Sequence, residues 1–367
     1  MIARGPVGSA PPEEDRMAPP DAGRPEHVLV YRDPFAYCSH PSILRLHTGE
    51  WLIAFMESMR RAEVLHSPAD PRFYNVLTRS ATEGRTWSAP VVVPGYDWYG
   101  VECPSLTQLQ NGDILLFQWR WRWRPRPENG AGWTPGLYER DRYPWARGSD
   151  GPYLHRSRDR GRTWETGRRL ETAPFEGAYT IRSAVELDDG ALLYAVTDIP
   201  RWRQIYVLRS RDGGTTWSVD ARVAGAPDRQ FSEPCLIRVG GRLLILIREE
   251  VTGYLHQAES EDGGETWTLP RATPMWGSPP HLLALGGDRL LCVYGHRRPP
   301  YSVRGCISPD GGRTWDVARE LVVRGDLPNA NLGYPSSVLL APGRVFTVYY
   351  AEDAEGVTGI QGAYYAV

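Results

Sequence analysis

The sequence predicts an all-β fold, a single six-bladed β-propeller, and three observations predict it. A turn of the form Ser-x-Asp-x-Gly-x-Thr-Trp recurs as SRDRGRTW (157–164), SRDGGTTW (210–217), SEDGGETW (260–267) and SPDGGRTW (308–315), with SATEGRTW (80–87) as a variant that carries Thr82 in place of Asp. Hairpins of two apolar strands alternate with these turns, beginning at Pro41, Pro104, Ser183, Pro234, His281 and Pro335. Successive Ser-to-Trp turns start 77, 53, 50 and 48 residues apart, and a period of that size made of four short strands means propeller blades.

In chain order, residues 1–26 are rich in Pro, Gly and acids and predict a disordered tail, leaving 27–367 for the propeller. The tail has no apolar core of a signal peptide, and no later run approaches membrane-span length, so a cytoplasmic protein without a membrane partner is expected. HVLVYR (27–32) reads as a strand. The sixth hairpin has no Ser-to-Trp turn after it and the chain ends in the apolar GAYYAV, so this N-terminal strand is expected to close the ring by completing the last blade.

Within each repeated turn, Asp accepts local backbone N–H bonds, Gly takes a positive φ and Trp packs under the hairpin. With strands lettered A to D from the axis outward, these turns fall between C and D on the underside and are structural. The starts of the A strands and the B–C loops then share the opposite, upper face.

Composition agrees with many short strands and tight turns: 38 Gly, 32 Pro, 14 Trp and 19 Tyr in 367 residues. The 42 basic and 44 acidic residues nearly cancel, which excludes the basic excess of a nucleic-acid-binding domain. Every basic residue other than His is Arg. The five cysteines are scattered, odd in number and without CxxC spacing, as expected of buried thiols in a reducing compartment rather than of disulfides or a zinc site.

The longest interval holds an insertion of about 25 residues in the B–C loop of blade 2. It begins with FQWRWRWRPRP (117–127), where period-2 alternation sets Trp119, Trp121 and Trp123 on one side and Arg120, Arg122 and Arg124 on the other. Trp133, Tyr138, Tyr143 and Trp145 follow.

The A strands start with His40, Glu102, Arg182, Glu233, His281 and Tyr334, one titratable or hydrogen-bonding group per blade. The B-strand ends and B–C loops add Arg60, Arg61, His66 and Asp70, then Trp121, Arg248, and His296, Arg297 and Arg298, with Arg304 on the next strand. Acids, bases and guanidiniums converging on one axial mouth predict a binding site there.

These motifs resemble the sialidase superfamily, whose Asp boxes sit on six-bladed propellers, over nearly the whole chain after the tail. GYPSSVLL is similar to the family's tyrosine strand, and the resemblance implies Tyr334 as nucleophile. SEPCLIRVGGRLLILIR implies Glu233 as the base acting on Tyr334 and Arg248 as one of three arginines that clamp a substrate carboxylate. YGHRRPPYSVRGCISPDGG implies a second clamp, for which Arg297 and Arg304 compete, and Asp70 is the candidate acid. The sequence departs from the family at Ser39-His40-Pro41, where sialidases carry Arg-Ile-Pro, so the first clamp arginine is missing.

The implied activity is an exo-acting glycoside hydrolase on a terminal anionic sugar, with neither metal nor organic cofactor. Two alternatives stay open: a lyase of a uronate-containing glycan using His40 or His296 with Tyr334, and a non-catalytic carbohydrate-binding propeller in which the Trp-rich insertion dominates.

Overall fold

The computed structural model describes residues 24–61, 70, 72–93, 101–125, 145–175, 177–199 and 201–367, with only the backbone of 122–125 and 145–149. The expected tail up to residue 23, together with His66, Trp133, Tyr138 and Tyr143, lies outside the described residues.

Six antiparallel sheets surround a central axis, each meandering outward. From A to D, blade 1 comprises Ala36–Arg45, Trp51–Met59, Tyr74–Ser80 and Val91–Val92; blade 2 comprises Val101–Gln108, Ile114–Pro125, Trp145–Ser157 and Arg168–Arg169. Blade 4 is built from Phe231–Val239, Arg242–Glu249, Tyr254–Ser260 and Arg271–Trp276, and blade 5 from His281–Gly286, Arg289–His296, Ser302–Ser308 and Leu321–Arg324. Blade 3 has a broken A strand, Gly177–Tyr179 and Val185–Glu186, followed by Leu192–Ile199, Gln204–Ser210 and Ser218–Gly225.

Blade 6 runs Leu332–Ala341, Arg344–Glu352, Thr358–Ala366, and its D strand is Glu26–Tyr31 from the other end of the chain. The N-terminal strand therefore closes the ring as expected, starting one residue before the predicted His27. Ion pairs from Arg85 to Glu26 and from Arg32 to Asp353 (2.6 Å) tie it on both sides.

The repeated turns occupy the C–D corners. In the second, the Ser157 hydroxyl accepts from Gly161 N (2.7 Å) and donates to Asp159, whose other oxygen accepts from the Thr163 hydroxyl (2.6 Å). Thr82 fills part of the missing Asp's role in the first turn, its hydroxyl accepting from Thr86 N at 2.9 Å. In three of the turns the Trp closes back on a glycine carbonyl, Trp87 on Gly84, Trp267 on Gly264 and Trp217 on Gly214 (3.1 Å), and the Trp217 ring packs edge-on against Phe117 of blade 2.

Arginines latch these turns to the preceding blade. Arg79, Arg156, Arg209 and Arg242 donate to the carbonyls of Gly161, Gly213, Gly263 and Gly311, each on the next blade around the ring. A guanidinium suits this work because its fork can serve a neighbouring carboxylate as well: Arg156 also reaches Asp113 at 2.6 Å and Arg209 reaches Asp220 at 2.6 Å.

One stability consequence is direct. Ser308 is fully buried and its oxygen satisfies Gly312 N at 2.7 Å, so Ser308→Ala leaves a buried donor unpaired and is expected to cost about 1–3 kcal/mol. A lowered urea midpoint with an unchanged near-ultraviolet dichroism spectrum checks it.

The hairpin of blade 2 continues beyond the regular blade length, pairing out to Pro125↔Trp145. Trp119 and Trp121 are buried on the side facing blade 3, where Trp119 meets Tyr179 at 5.8 Å, whereas Gln118 on the other side accepts from Asn75 of blade 1 at 2.6 Å. Arg120, on the side opposite the two tryptophans, stays within its own blade, over the Tyr153 ring at 4.4 Å.

Candidate active site

Four blades share one backbone device at the upper end of strand A. His40, Cys103, Glu233 and Tyr334 have φ of 53°, 49°, 45° and 49°, and each precedes a proline. At each the pairing with strand B slips, between Ser39/Ser42, Glu102/Ser105, Ser232/Cys235 and Gly333/Ser336. Left-handed backbone costs a residue with a Cβ roughly 1–2 kcal/mol, and proline needs no ladder bond for its missing N–H. Bulges of this kind re-aim a side chain, and strain kept in four blades at one register marks the axial mouth as the place to look for chemistry.

The device brings together residues far apart in sequence. The Tyr334 hydroxyl donates to Glu233 Oε1 at 2.5 Å, and Arg248 Nη1 donates to Glu233 Oε2 at 2.7 Å. Arg248 Nη2 continues to Glu250 at 2.8 Å, which also accepts from the Ser232 hydroxyl at 2.6 Å. On the other side of Tyr334 stands the His40 ring, centroids 3.7 Å apart, and beyond it Tyr350 at 5.5 Å, nearly parallel to the imidazole. Arg297 lies 5.2 Å from the Tyr334 ring centre, held by Leu332 O at 2.9 Å.

The electrostatics follow from burial. Burial alone would raise the Glu233 carboxyl, but the Arg248 charge, hydrogen bonds from Tyr334 and Arg248, and the Arg297 charge outweigh it and hold it below its usual value. Tyr334 is pushed well above an ordinary phenol by burial and by the Glu233 charge. The pair is therefore a neutral phenol donating to a carboxylate, the protonation states a base-assisted oxygen nucleophile needs.

Arg182 sits in the break of blade 3's A strand, buried, with Nε and Nη2 donating to Pro280 O at 2.9 and 2.7 Å. Its charge is felt by the same group, through Glu233 and Tyr334. Two guanidiniums, Arg248 through Glu233 and Arg297 over the ring, thus flank the Tyr334–Glu233 pair although His40 occupies the first blade. Among the described residues neither Arg182 nor Arg297 has a carboxylate within ion-pair distance.

Other predicted residues fall elsewhere. Arg304 on strand C of blade 5 pairs with Glu320 (2.6 Å) and Ser302, away from Tyr334, so of the two competing arginines Arg297 is the one at the mouth. Glu102 is one residue off the axial register, which in blade 2 belongs to Cys103; Glu102 accepts from Trp121 Nε1 at 2.7 Å. Asp70 accepts from Arg61 (2.8 and 3.2 Å), the Ser58 hydroxyl (3.0 Å) and Arg72 N (3.0 Å). Both its oxygens are taken up by bonds that tie the loop to strand B of blade 1.

His296 is fixed by Pro300 O (3.2 Å), Arg298 and the edge of Trp276, not by Tyr334. His281 is half-buried, and burial and the Arg182 charge hold it well below its usual value, hence neutral. Arg60 donates to the carbonyls of Pro34 and Glu355, on the rim between blades 6 and 1. The five cysteines are buried and free; Cys103 meets the Tyr179 hydroxyl at 3.0 Å.

Tyr350 and Cys103 were missed in the sequence. Tyr350 lies near the end of strand B in blade 6, the place that yields Arg248 in blade 4, and the Xaa-Pro pairs of the four A strands point to Cys103 once aligned.

Residues 76–348 match the profile of the BNR repeat-like domain. Among solved structures, a Dyadobacter fermentans protein of unknown function is 28% identical, with 95% of this chain and 100% of that chain covered and a TM-score of 0.85. The Hadza microbial sialidase Hz136 is 18% identical, with 90% of this chain and 66% of that chain covered and a TM-score of 0.67. The α-L-arabinanase of Penicillium chrysogenum is 14% identical, with 92% and 97% covered and a TM-score of 0.62. No curated protein matches the sequence. With more than half of its length matched and six blades in place, the chain belongs to the BNR repeat-like domain family and carries the propeller fold of sialidase-like glycoside hydrolases.

Proposed function

We propose that the protein is an exo-acting glycoside hydrolase that removes a terminal acidic sugar with Tyr334 as nucleophile and Glu233 as its base. The observation that carries this reading is the 2.5 Å bond from the buried Tyr334 hydroxyl to Glu233, whose other oxygen is paired with Arg248. As Tyr334 Oη forms its bond to the anomeric carbon, its proton passes to Glu233 and the bond to the leaving oxygen breaks, that oxygen taking a proton from solvent. Water then attacks the glycosyl-tyrosine and gives up one proton to solvent, while the departing phenolate recovers its proton from Glu233.

The preference for an acidic sugar rests on charge. A neutral phenol can approach an anionic ring without the repulsion a carboxylate would meet, and Arg297 and Arg182 offer guanidiniums not already paired with an acid. Replacing Arg297 by Leu is expected to raise KM by about 10- to 100-fold, the worth of one charge-assisted hydrogen bond, with a smaller change in kcat. An equal loss in kcat alone would place Arg297 in another role.

The direct test is a screen with aryl glycosides of sialic acids, other ulosonic acids and uronic acids. The expected outcome is release of the intact acidic sugar. An unsaturated product would indicate elimination, and binding across a glycan panel without turnover would indicate a lectin-like propeller; either contradicts the proposal.

A further inference from the structure

A concavity opens on the upper face where blade 1 meets blade 6. It encloses about 820 Å3 and is lined by Phe35, Tyr37, Met59, Arg60, Asp70 and Glu352. None of the Tyr334 group lines it, yet Tyr37 joins the two. Tyr37 stands three residues before His40 on the same strand, about 10 Å along an extended chain. Its hydroxyl donates to Asn331 Oδ1 at 3.0 Å, and Asn331 adjoins Leu332, whose carbonyl holds Arg297.

The wall of the cleft is organised for a polar ligand with flat faces. Phe35 is 81% exposed on a tight turn fixed by Asp33, whose side chain accepts from Phe35 N (2.8 Å) and whose carbonyl accepts from Ala36 N (3.1 Å). Arg60 N in turn donates to Phe35 O at 2.8 Å. These bonds fix the backbone that presents the exposed phenyl ring, so covering it costs little chain freedom, and Met59 beside it is also exposed. Around these sit an arginine without an acid partner among the described residues and the Glu352 carboxylate, held by Asn329 (3.1 Å) and Asn331 (3.2 Å). Aromatic surface with a few fixed polar groups suits the apolar face and hydroxyl edge of a pyranose.

We propose that this cleft is a second sugar subsite, which takes the part of an oligosaccharide beyond the terminal acidic sugar, stacked on Phe35 and Met59 with hydroxyls bonded by Arg60 and Glu352. The proposal rests on the reading of the axial mouth as the site of the terminal sugar. The true substrate is then an acid-capped oligosaccharide rather than a simple glycoside.

The test uses the full chain carrying Tyr334→Phe, titrated calorimetrically with two pairs of probes: methyl sialoside against sialyllactose, and methyl glucuronide against a glucuronate-capped trisaccharide. In at least one pair the oligosaccharide is expected to bind about tenfold more tightly, the worth of one good aromatic contact, and adding Phe35→Ala should erase that difference while leaving the methyl glycoside unaffected. Phe35 is exposed, so this change does not threaten the fold. Equal affinities within both pairs, a difference that survives Phe35→Ala, or no binding of any probe overturns the subsite. Turnover of aryl glycosides by the unmutated protein reports separately on the hydrolase reading, so failure of one is distinguishable from failure of the other.

Discussion

Tyr334→Phe is expected to lower kcat about a thousandfold or more while leaving KM within a few-fold, because it removes the one oxygen placed to form the covalent bond and little of the binding surface. The fold should survive. The phenyl ring keeps its packing against His40, and the left-handed backbone at this position makes the same demand of Phe as of Tyr. Steady-state kinetics on the preferred aryl glycoside, alongside the near-ultraviolet dichroism of both proteins, checks both halves of the expectation. Retained turnover with an intact fold would remove Tyr334 from the chemistry.

Glu233→Gln is expected to cost about 10²- to 10⁴-fold in kcat, the usual range for a positioned general base. It also predicts a pH dependence whose sign can be worked out. Burial would raise this carboxyl, but Arg248, Tyr334 and Arg297 together hold it below its ordinary value of 4.5. The base is therefore ionised throughout the neutral range, and the acid limb of kcat/KM due to Glu233 should lie below pH 4.5. A carboxyl depressed in the folded state contributes stability that is fully present above its unfolded value and is lost as pH falls through its folded value. Part of the acid unfolding in that window should accordingly disappear in Glu233→Gln. Urea midpoints of both proteins at neutral and acid pH measure it, and an acid limb of activity centred above pH 5 would assign the limb to another group.

Much of the fold was legible because the repeated turn and the apolar hairpin each report one covalent unit of a blade. The closing strand could be found for the same reason: a sixth hairpin without its own turn left a strand to be supplied, and Glu26–Tyr31 supplies it. Tyr334, Glu233 and Arg248 could be placed since A-strand starts and B-strand ends must meet at one face. What could not be read was register within that face. Glu102 looked like the axial residue of blade 2 because it is charged, but the bulge falls one residue later, at Cys103.

Side-chain partnership was equally hidden. Arg297 lies in the loop just past strand B of blade 5 and Arg304 seven positions on, and only pairing of Tyr294 with Arg304 shows that the latter belongs to the outer strand facing Glu320. Asp70 had a plausible loop position, yet its capture by Arg61 and Ser58 depends on how strands B and C of blade 1 converge. The run FQWRWRWRPRP reads differently once its strand is paired: Trp119 and Trp121 pack toward blade 3, and Arg120 lies over the Tyr153 ring at 4.4 Å.

The central claim is that Tyr334 attacks the anomeric carbon and is then displaced by water. Two displacements at one carbon restore its configuration. Proton NMR of the sugar first released from an anomerically pure substrate, recorded before mutarotation, tests this most directly. Retention of configuration is the predicted result, and release of the inverted anomer would contradict a tyrosyl intermediate.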